Sequence, residues 1–272
     1  MVTRIISGVI LLPLLLFFIA KGGYLLQGAV LVVSMIGLRE FYRAFSDKKL
    51  NLAHYLGFAF SVFYLVFAEY IINESNIFNI FVSVFLVCLL VYMVAFHKVS
   101  DVKDILITFF GFFYVPFLMS HIFMVRNYIY GNYFVWLIFI TAFGCDTGAY
   151  FSGMLFGKHK LIPELSPKKT VEGAIGGVII ATAIALLYGL YIDSRFVTDW
   201  VDTSYLCVLT GIIGSILSQF GDLAASTLKR YVGLKDYGHL IPGHGGVLDR
   251  FDSVLLTAPV VYYVMLFTIE VM

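Results

Sequence analysis

Charge is scarce in this chain. Only 13% of its 272 residues are charged, 61% are hydrophobic, and the formal net charge is +1. So little charge excludes a disordered segment and an ordinary soluble enzyme. The near-zero balance also argues against nucleic acid as a partner, which would call for a basic surface. Cysteine is rare too. Cys88, Cys145 and Cys207 lie in apolar runs with no CxxC pair. They read as small membrane-buried side chains, neither a disulfide framework nor a zinc site. The motifs GxxxxGK[ST], HExxH and GxSxG are missing, which removes the P-loop, zincin and serine-hydrolase chemistries. There is no internal repeat, no low-complexity tract and no linker long enough to separate domains.

What the chain has instead is hydrophobic runs. A helix needs about 20 apolar residues to cross the bilayer core. Nine segments qualify, near 5–20, 24–38, 52–72, 77–96, 105–125, 133–153, 174–192, 204–225 and 253–271. They predict an all-α, polytopic integral membrane protein of about nine transmembrane helices. The first two are short, so they read either as tilted spans or as a re-entrant hairpin. The first is long for a signal peptide, and Lys21-Gly22-Gly23 offers no A-x-A cleavage site, so it reads as an anchor. Nine spans place the N-terminus and the loops near 39–51, 97–104, 154–173 and 226–252 on one side. That side holds 15 of the 18 Lys and Arg residues; only Lys21, Arg126 and Arg195 fall opposite. The positive-inside rule makes the basic side cytoplasmic. Divided by content, residues 1–130 are N-terminal transmembrane helices, a scaffold and candidate dimerisation region. Residues 131–272 carry the candidate site.

Most polar residues read as ordinary. Glu69, Glu74, Asp193, Asp199 and Asp202 read as headgroup or loop charges, and Arg39, Arg43, Lys48 and Lys49 as positive-inside anchoring. His121 reads as an interior hydrogen-bonded residue. Two stretches differ, 143–177 and 218–253, and both begin inside a span on the cytoplasmic side. Asp146 and Asp222 fall within spans, where an ionised carboxylate costs about 2.5–3.5 kcal/mol. Such groups are paired, solvated in a cavity, or bound to an ion. Asp222, Ser226 and Lys229 are spaced by four and three, so a helix would line them along one face. Pro242-Gly243 then breaks the chain, and His244-Gly245-Gly246 leads into a new helix. There the free backbone N–H groups and the positive dipole end would seat phosphate oxygens. Asp249 and Asp252 are three apart and share a direction.

The signs of the charges narrow the ligand. From 222 to 252 there are four basic residues (Lys229, Arg230, Lys235, Arg250) and four acidic ones (Asp222, Asp236, Asp249, Asp252). A surface for anionic lipid alone would be basic with few acids. Mixed charge of this density suggests a polyphosphate held with a divalent metal, carboxylates holding Mg2+ and cations holding the remaining oxygens. Lys168, Lys169 and Glu172 in SPKKTVEG add to it from the other loop.

Read together, STLKRYVGLKDYGHLIPGHGGVLDRFD (226–252) resembles the signature of the phosphatidate cytidylyltransferase (CDP-diacylglycerol synthase) family. The pattern runs S-x-x-K-R, four residues, K-D, then P-x-H-G-G, an apolar residue, x-D-R, an apolar residue and D. DTGAYFSGMLFGKHKL with SPKKTVEG, within 146–173, is similar to the family's upstream block. The resemblance covers about the last half of the chain. It implies an integral membrane enzyme that makes CDP-diacylglycerol and pyrophosphate from CTP and phosphatidic acid. It further implies a polar funnel open to the cytoplasm, Mg2+ held by aspartates with K+ beside it, and a homodimer. Carried onto this chain, Asp222 and Asp249 hold Mg2+ with Asp252 in support. Lys229, Arg230, Lys235 and Arg250 bind phosphates, and Lys168 and Lys169 neutralise the lipid phosphate. His244 contacts a phosphate or orients an aspartate, Gly245 and Gly246 permit close backbone approach, and Ser226 and Asp236 complete the substrate site. The size of the chain points to a bacterial plasma membrane, with the N-terminus and active site cytoplasmic.

Two other functions remain open at this level. A CTP-dependent polyprenol or lipid kinase would also join CTP and a membrane lipid, with Asp236 or Asp252 as base for a hydroxyl acceptor. An ion-coupled transporter would use Asp146 and Asp222 as its ion site. Against the transporter, the polar residues gather on one side, and no inverted repeat is visible.

Overall fold

The computed structural model describes residues 2–46, 50–98, 101–195 and 203–271. Lys48, Lys49, Asp199 and Asp202, read above as loop charges, lie outside the described residues. The chain is helical almost throughout, because backbone in hydrocarbon must satisfy its own hydrogen bonds. In order come α1 (Val2–Lys21), α2 (Gly23–Phe45), α3 (Leu52–Asn73), α4 (Ser75–Ala95) and α5 (Val102–Phe112). A π-helical turn at Phe113–Phe117 follows, then α6 (Leu118–Asn127), α7 (Gly131–Phe156), α8 (Val171–Arg195), α9 (Thr203–Tyr231) and α10 (Leu248–Val271). Among the described residues eight helical segments are long and apolar enough to cross a membrane, and Leu11–Lys21 is a shorter apolar helix. The protein is a multi-pass membrane protein, and about nine helices fits.

The helices outrun the apolar segments that announced them. α2 continues seven residues past the predicted end at 38, and α9 six residues past 225. Among the described residues one short hairpin interrupts the helical pattern. β1 (Lys160–Ile162) pairs antiparallel with β2 (Ser166–Thr170), Ile162 opposite Ser166.

The residues fall into two compact units. One comprises 1–120 and 236–250; the other comprises 121–235 and 251–272. In the first, aromatic rings fill the core, with Tyr64, Phe81, Phe85 and Phe112 packed around one another. Tyr42 of α2 is buried and donates its hydroxyl to the carbonyl of Thr108 at 3.0 Å. His54 caps the start of α3: its N–H donates to Asn51 Oδ1 while its ring accepts from the Asn51 N–H. In the second unit α7, α8 and α9 pack on small residues. At Gly177 a Cβ would lie 2.8 Å from the carbonyl of Cys145, and at Gly211 2.8 Å from Thr182. Without a hydrophobic drive between helices in lipid, such close approach is what holds them together. Cys145 and Cys207 are buried, Cys88 is half-buried, and all three are free thiols. His121 is buried beside Tyr262 and Tyr263.

Candidate active site

Candidate site residues occur in both units. In the second unit, α9 is helical through Tyr231, so Asp222, Ser226 and Lys229 do share one face. Lys229 is buried at 8% exposure. Lys169, on β2, is ion-paired with Asp222. Asp252, on α10, lies within Coulombic reach of Asp222, Lys229 and Asp146. A Cβ at Gly221 would stand 2.5 Å from the carbonyl oxygen of Asp252, so glycine beside Asp222 is what lets α9 and α10 meet there. Asp146, on α7, accepts from Ser253 Oγ at 3.3 Å. Three helices and the hairpin therefore gather Asp146, Asp222, Asp252, Lys169 and Lys229.

The hairpin is anchored at its base. Glu172, in the first turn of α8, accepts the N–H groups of Lys158 and His159, and His159 Nδ1 lies 2.6 Å from its carboxylate. Glu172 thus fixes the strand pair that carries Lys169. The far end of α9 closes through Gly233 at φ 70°. Leu234 N–H donates to the Lys229 carbonyl and Gly233 N–H to that of Arg230, a Schellman closure. Arg230 donates to the Leu234 carbonyl at 3.2 Å, so part of its guanidinium secures this turn. Lys168, Arg230, Lys235 and Arg250 are exposed.

In the first unit, the 236–250 segment folds over Asp249. Ile241 and Gly245 form an antiparallel bridge around the Pro242-Gly243-His244 turn, with Gly245 at φ 85°. Asp249 is 5% exposed, and its Oδ2 accepts from Tyr237 N–H at 2.8 Å and Gly246 N–H at 2.9 Å. A Cβ on Gly245 would meet Asp249 Oδ2 at 3.0 Å and Asp236 at 3.4 Å. Asp236, Gly245, Gly246 and Asp249 are thus neighbours here. His244 is half-buried beside them in sequence.

One expectation is corrected. The N–H groups at the start of α10 do not lie open for phosphate. Val247 N–H donates to Glu40 Oε1 at 3.0 Å and Leu248 N–H to Glu40 Oε2 at 2.9 Å. The glycine beside them serves this carboxylate, since a Cβ on Gly246 would lie 2.5 Å from Glu40 Oε2. Glu40 is not among the candidates named from the sequence, because it lies past the apolar run 24–38, beside Arg39 and close to Arg43. The available signal was an acid at the end of an apolar run, where carboxylates are expensive and need partners.

The donor set suits a hard cation. No three His, Cys, Asp or Glu residues form a ready-made cage among the described residues. Mg2+ does not require one, since it binds through one or two carboxylates, with waters and substrate phosphates completing its octahedron. Asp222 and Asp252, like charges within reach of each other, offer carboxylate oxygens of that kind.

The model of the Cytidylyltransferase family matches residues 2–268. The phosphatidate cytidylyltransferase of Bacillus subtilis is 31% identical over 265 residues, 96% of each chain. That of Synechocystis sp. is 31% identical over 296 residues, covering 99% of this chain and 98% of the relative. That of Haemophilus influenzae is 40% identical over 140 residues, 52% of this chain and 48% of the relative. Such likeness along nearly its whole length means that this chain belongs to the cytidylyltransferase family.

Proposed function

We infer that this chain transfers CMP from CTP to phosphatidic acid, giving CDP-diacylglycerol and pyrophosphate. It is a nucleotidyltransferase of phospholipid biosynthesis. The observation that carries this is the near full-length similarity to two proteins that bear that activity in their names. The site chemistry agrees with it. The nucleophile is a phosphate monoester whose second pKa is about 6, so it is largely ionised at neutral pH and needs no base. An oxygen of the lipid phosphate attacks the α-phosphorus of CTP, the bond to the β-phosphate breaks, and pyrophosphate leaves. What the protein must supply is alignment and relief of repulsion between two anions.

We assign that work to the residues of the two stretches. Lys169 and Lys229 lie beside the carboxylates and meet phosphate oxygens. Lys168, Arg230, Lys235 and Arg250 are exposed cations suited to hold the outer phosphates. Ser226 and Asp236 complete substrate contacts, and His244 contacts a phosphate or orients an aspartate. On the strength of the signature, Asp222 and Asp249 hold Mg2+, with Asp252 in support. When bound, Mg2+ supplies charge neutralisation at the reacting phosphates. A K+ beside it and a homodimer belong to the same proposal. So do a polar funnel and the cytoplasmic placement of the N-terminus and site in a plasma or inner membrane, for which the positive-inside distribution is the support. The lipid's head must enter a polar site while its tails stay in hydrocarbon, which accounts for a charged cluster on membrane-spanning helices.

The test uses purified protein in detergent with phosphatidic acid, Mg2+ and CTP labelled at either the α- or the γ-phosphate. Entry of α-label into lipid, with γ-label leaving as pyrophosphate, is the expected result. Entry of γ-label into a lipid acceptor would make the protein a kinase instead. Failure of both labels to move in folded protein would return the ion-coupled transporter to consideration.

A further inference from the structure

We propose that Glu40 is a positioning residue for Asp249, acting from α2 through the start of α10. The inference rests on the proposed role of Asp249 in holding Mg2+. A helix begins with N–H groups that lack intrahelical partners, and a side-chain acceptor at the N-cap normally takes one of them. Here the residue before α10 is Val247, whose side chain has no acceptor. Glu40 substitutes from 207 residues away, giving one oxygen to Val247 N–H and the other to Leu248 N–H. The next N–H upstream, that of Gly246, goes to Asp249 itself. Three consecutive backbone donors are therefore shared between two carboxylates, and the orientation of Asp249 Oδ2 depends on a loop that Glu40 grips.

The surroundings are shaped around this contact. Glu40 is 9% exposed, in the last two turns of α2 just past its apolar run. A Cβ on Gly238 would stand 2.6 Å from Glu40 Oε1, and one on Gly246 would stand 2.5 Å from Oε2. Two glycines of the 236–250 segment thus form the slot that admits the carboxylate. Glu40 and Asp249 also lie within Coulombic reach of each other. Two buried acids this close are tolerated where backbone N–H groups and the positive end of α10 face them. A residue needed only for packing at this position would be served by an apolar side chain, without bringing a second negative charge toward Asp249.

The experiment compares wild type, Glu40→Ala, Glu40→Gln and the exposed-loop control Glu74→Ala. The primary readout is Mg2+ alone, titrated against thermal stability in detergent without CTP. Groups that orient a metal ligand typically change metal affinity by about 10–100-fold when removed. Glu40→Ala is expected to raise the half-saturating Mg2+ by at least about tenfold on that basis. Glu40→Gln, which keeps one acceptor but turns an amide donor toward an N–H, should fall between, and Glu74→Ala should match wild type. Faster amide exchange across 238–252 in both Glu40 variants should accompany the shift. If the Ala variant does not fold, the Gln variant decides. Folded variants that bind Mg2+ like wild type overturn the inference. Wild type that binds Mg2+ but forms no CDP-lipid would overturn the proposed activity while leaving the Glu40 result standing.

Discussion

Lys169 of the β-hairpin and Asp222 of α9 are ion-paired. The pair joins the two polar stretches of the sequence through residues 53 positions apart along the chain. Both side chains keep about 30% of their exposure (30% and 28%). A pair this accessible is worth no more than about 1 kcal/mol, so stability does not explain it. Lys169→Met should leave the apparent Tm within a few degrees of wild type while reducing CDP-diacylglycerol formation by roughly 10–100-fold, the range seen for groups that support a metal-dependent site. Full activity in folded Lys169→Met protein would remove this lysine from the site.

Asp249→Asn separates charge from shape. The amide oxygen can still accept from Tyr237 and Gly246, the two bonds that Oδ2 makes. The fold of 236–250 should survive, but the anionic charge is gone. If the carboxylate is a metal ligand, turnover should drop by no less than the roughly 10–100-fold that losing a ligand's supporting group costs. Rates measured across a Mg2+ series decide this, and near-normal kcat at ordinary Mg2+ would refute the assignment.

Chelation tests the metal from the other direction. Treatment with EDTA should abolish CDP-diacylglycerol formation, and restored Mg2+ should recover it, with the helical circular-dichroism signal unchanged throughout. The helices close their own backbone hydrogen bonds and need no ion to form. Activity that persists in EDTA would remove Mg2+ from the proposal.

Much of this was legible in the amino acids, for definite reasons. Spanning helices announce themselves because each is a continuous apolar run, and the alignment of Asp222, Ser226 and Lys229 follows from spacings of four and three. Helix ends were less legible. α2 runs on to Phe45 and α9 to Tyr231, because polar residues on one face do not stop a helix that packs on the other. The β-hairpin was not foreseen, since strands of three and five residues carry too little alternation to register. The contact between Glu40 and α10 spans 207 residues of sequence, and no local pattern encodes it. Its trace lies in Gly246, a glycine expected to let backbone approach a phosphate that instead makes room, with Gly238, for a carboxylate.

That exchange of roles gives a sharper test of the Glu40 slot. In Gly246→Ala the new methyl would sit 2.5 Å from Glu40 Oε2, well inside van der Waals contact. The carboxylate must withdraw and leave Val247 and Leu248 N–H without their acceptor. Losing a helix cap costs about 0.5–2 kcal/mol, and stranding buried polar groups adds roughly 1–3 kcal/mol. Gly246→Ala should therefore lower the apparent Tm by several degrees, as Glu40→Ala should on its own. In the double variant the methyl meets no carboxylate, so the two losses should not add. Coupling of about 0.5–3 kcal/mol is typical for residues in contact. Gly28→Ala is the control, because a Cβ there meets nothing within 4 Å. It should be neutral, or more stable by about 0.5–1 kcal/mol, since alanine favours a helix over glycine. Strictly additive effects of the Glu40 and Gly246 substitutions would mean that the two do not share a slot, and the start of α10 would then be held by something other than Glu40.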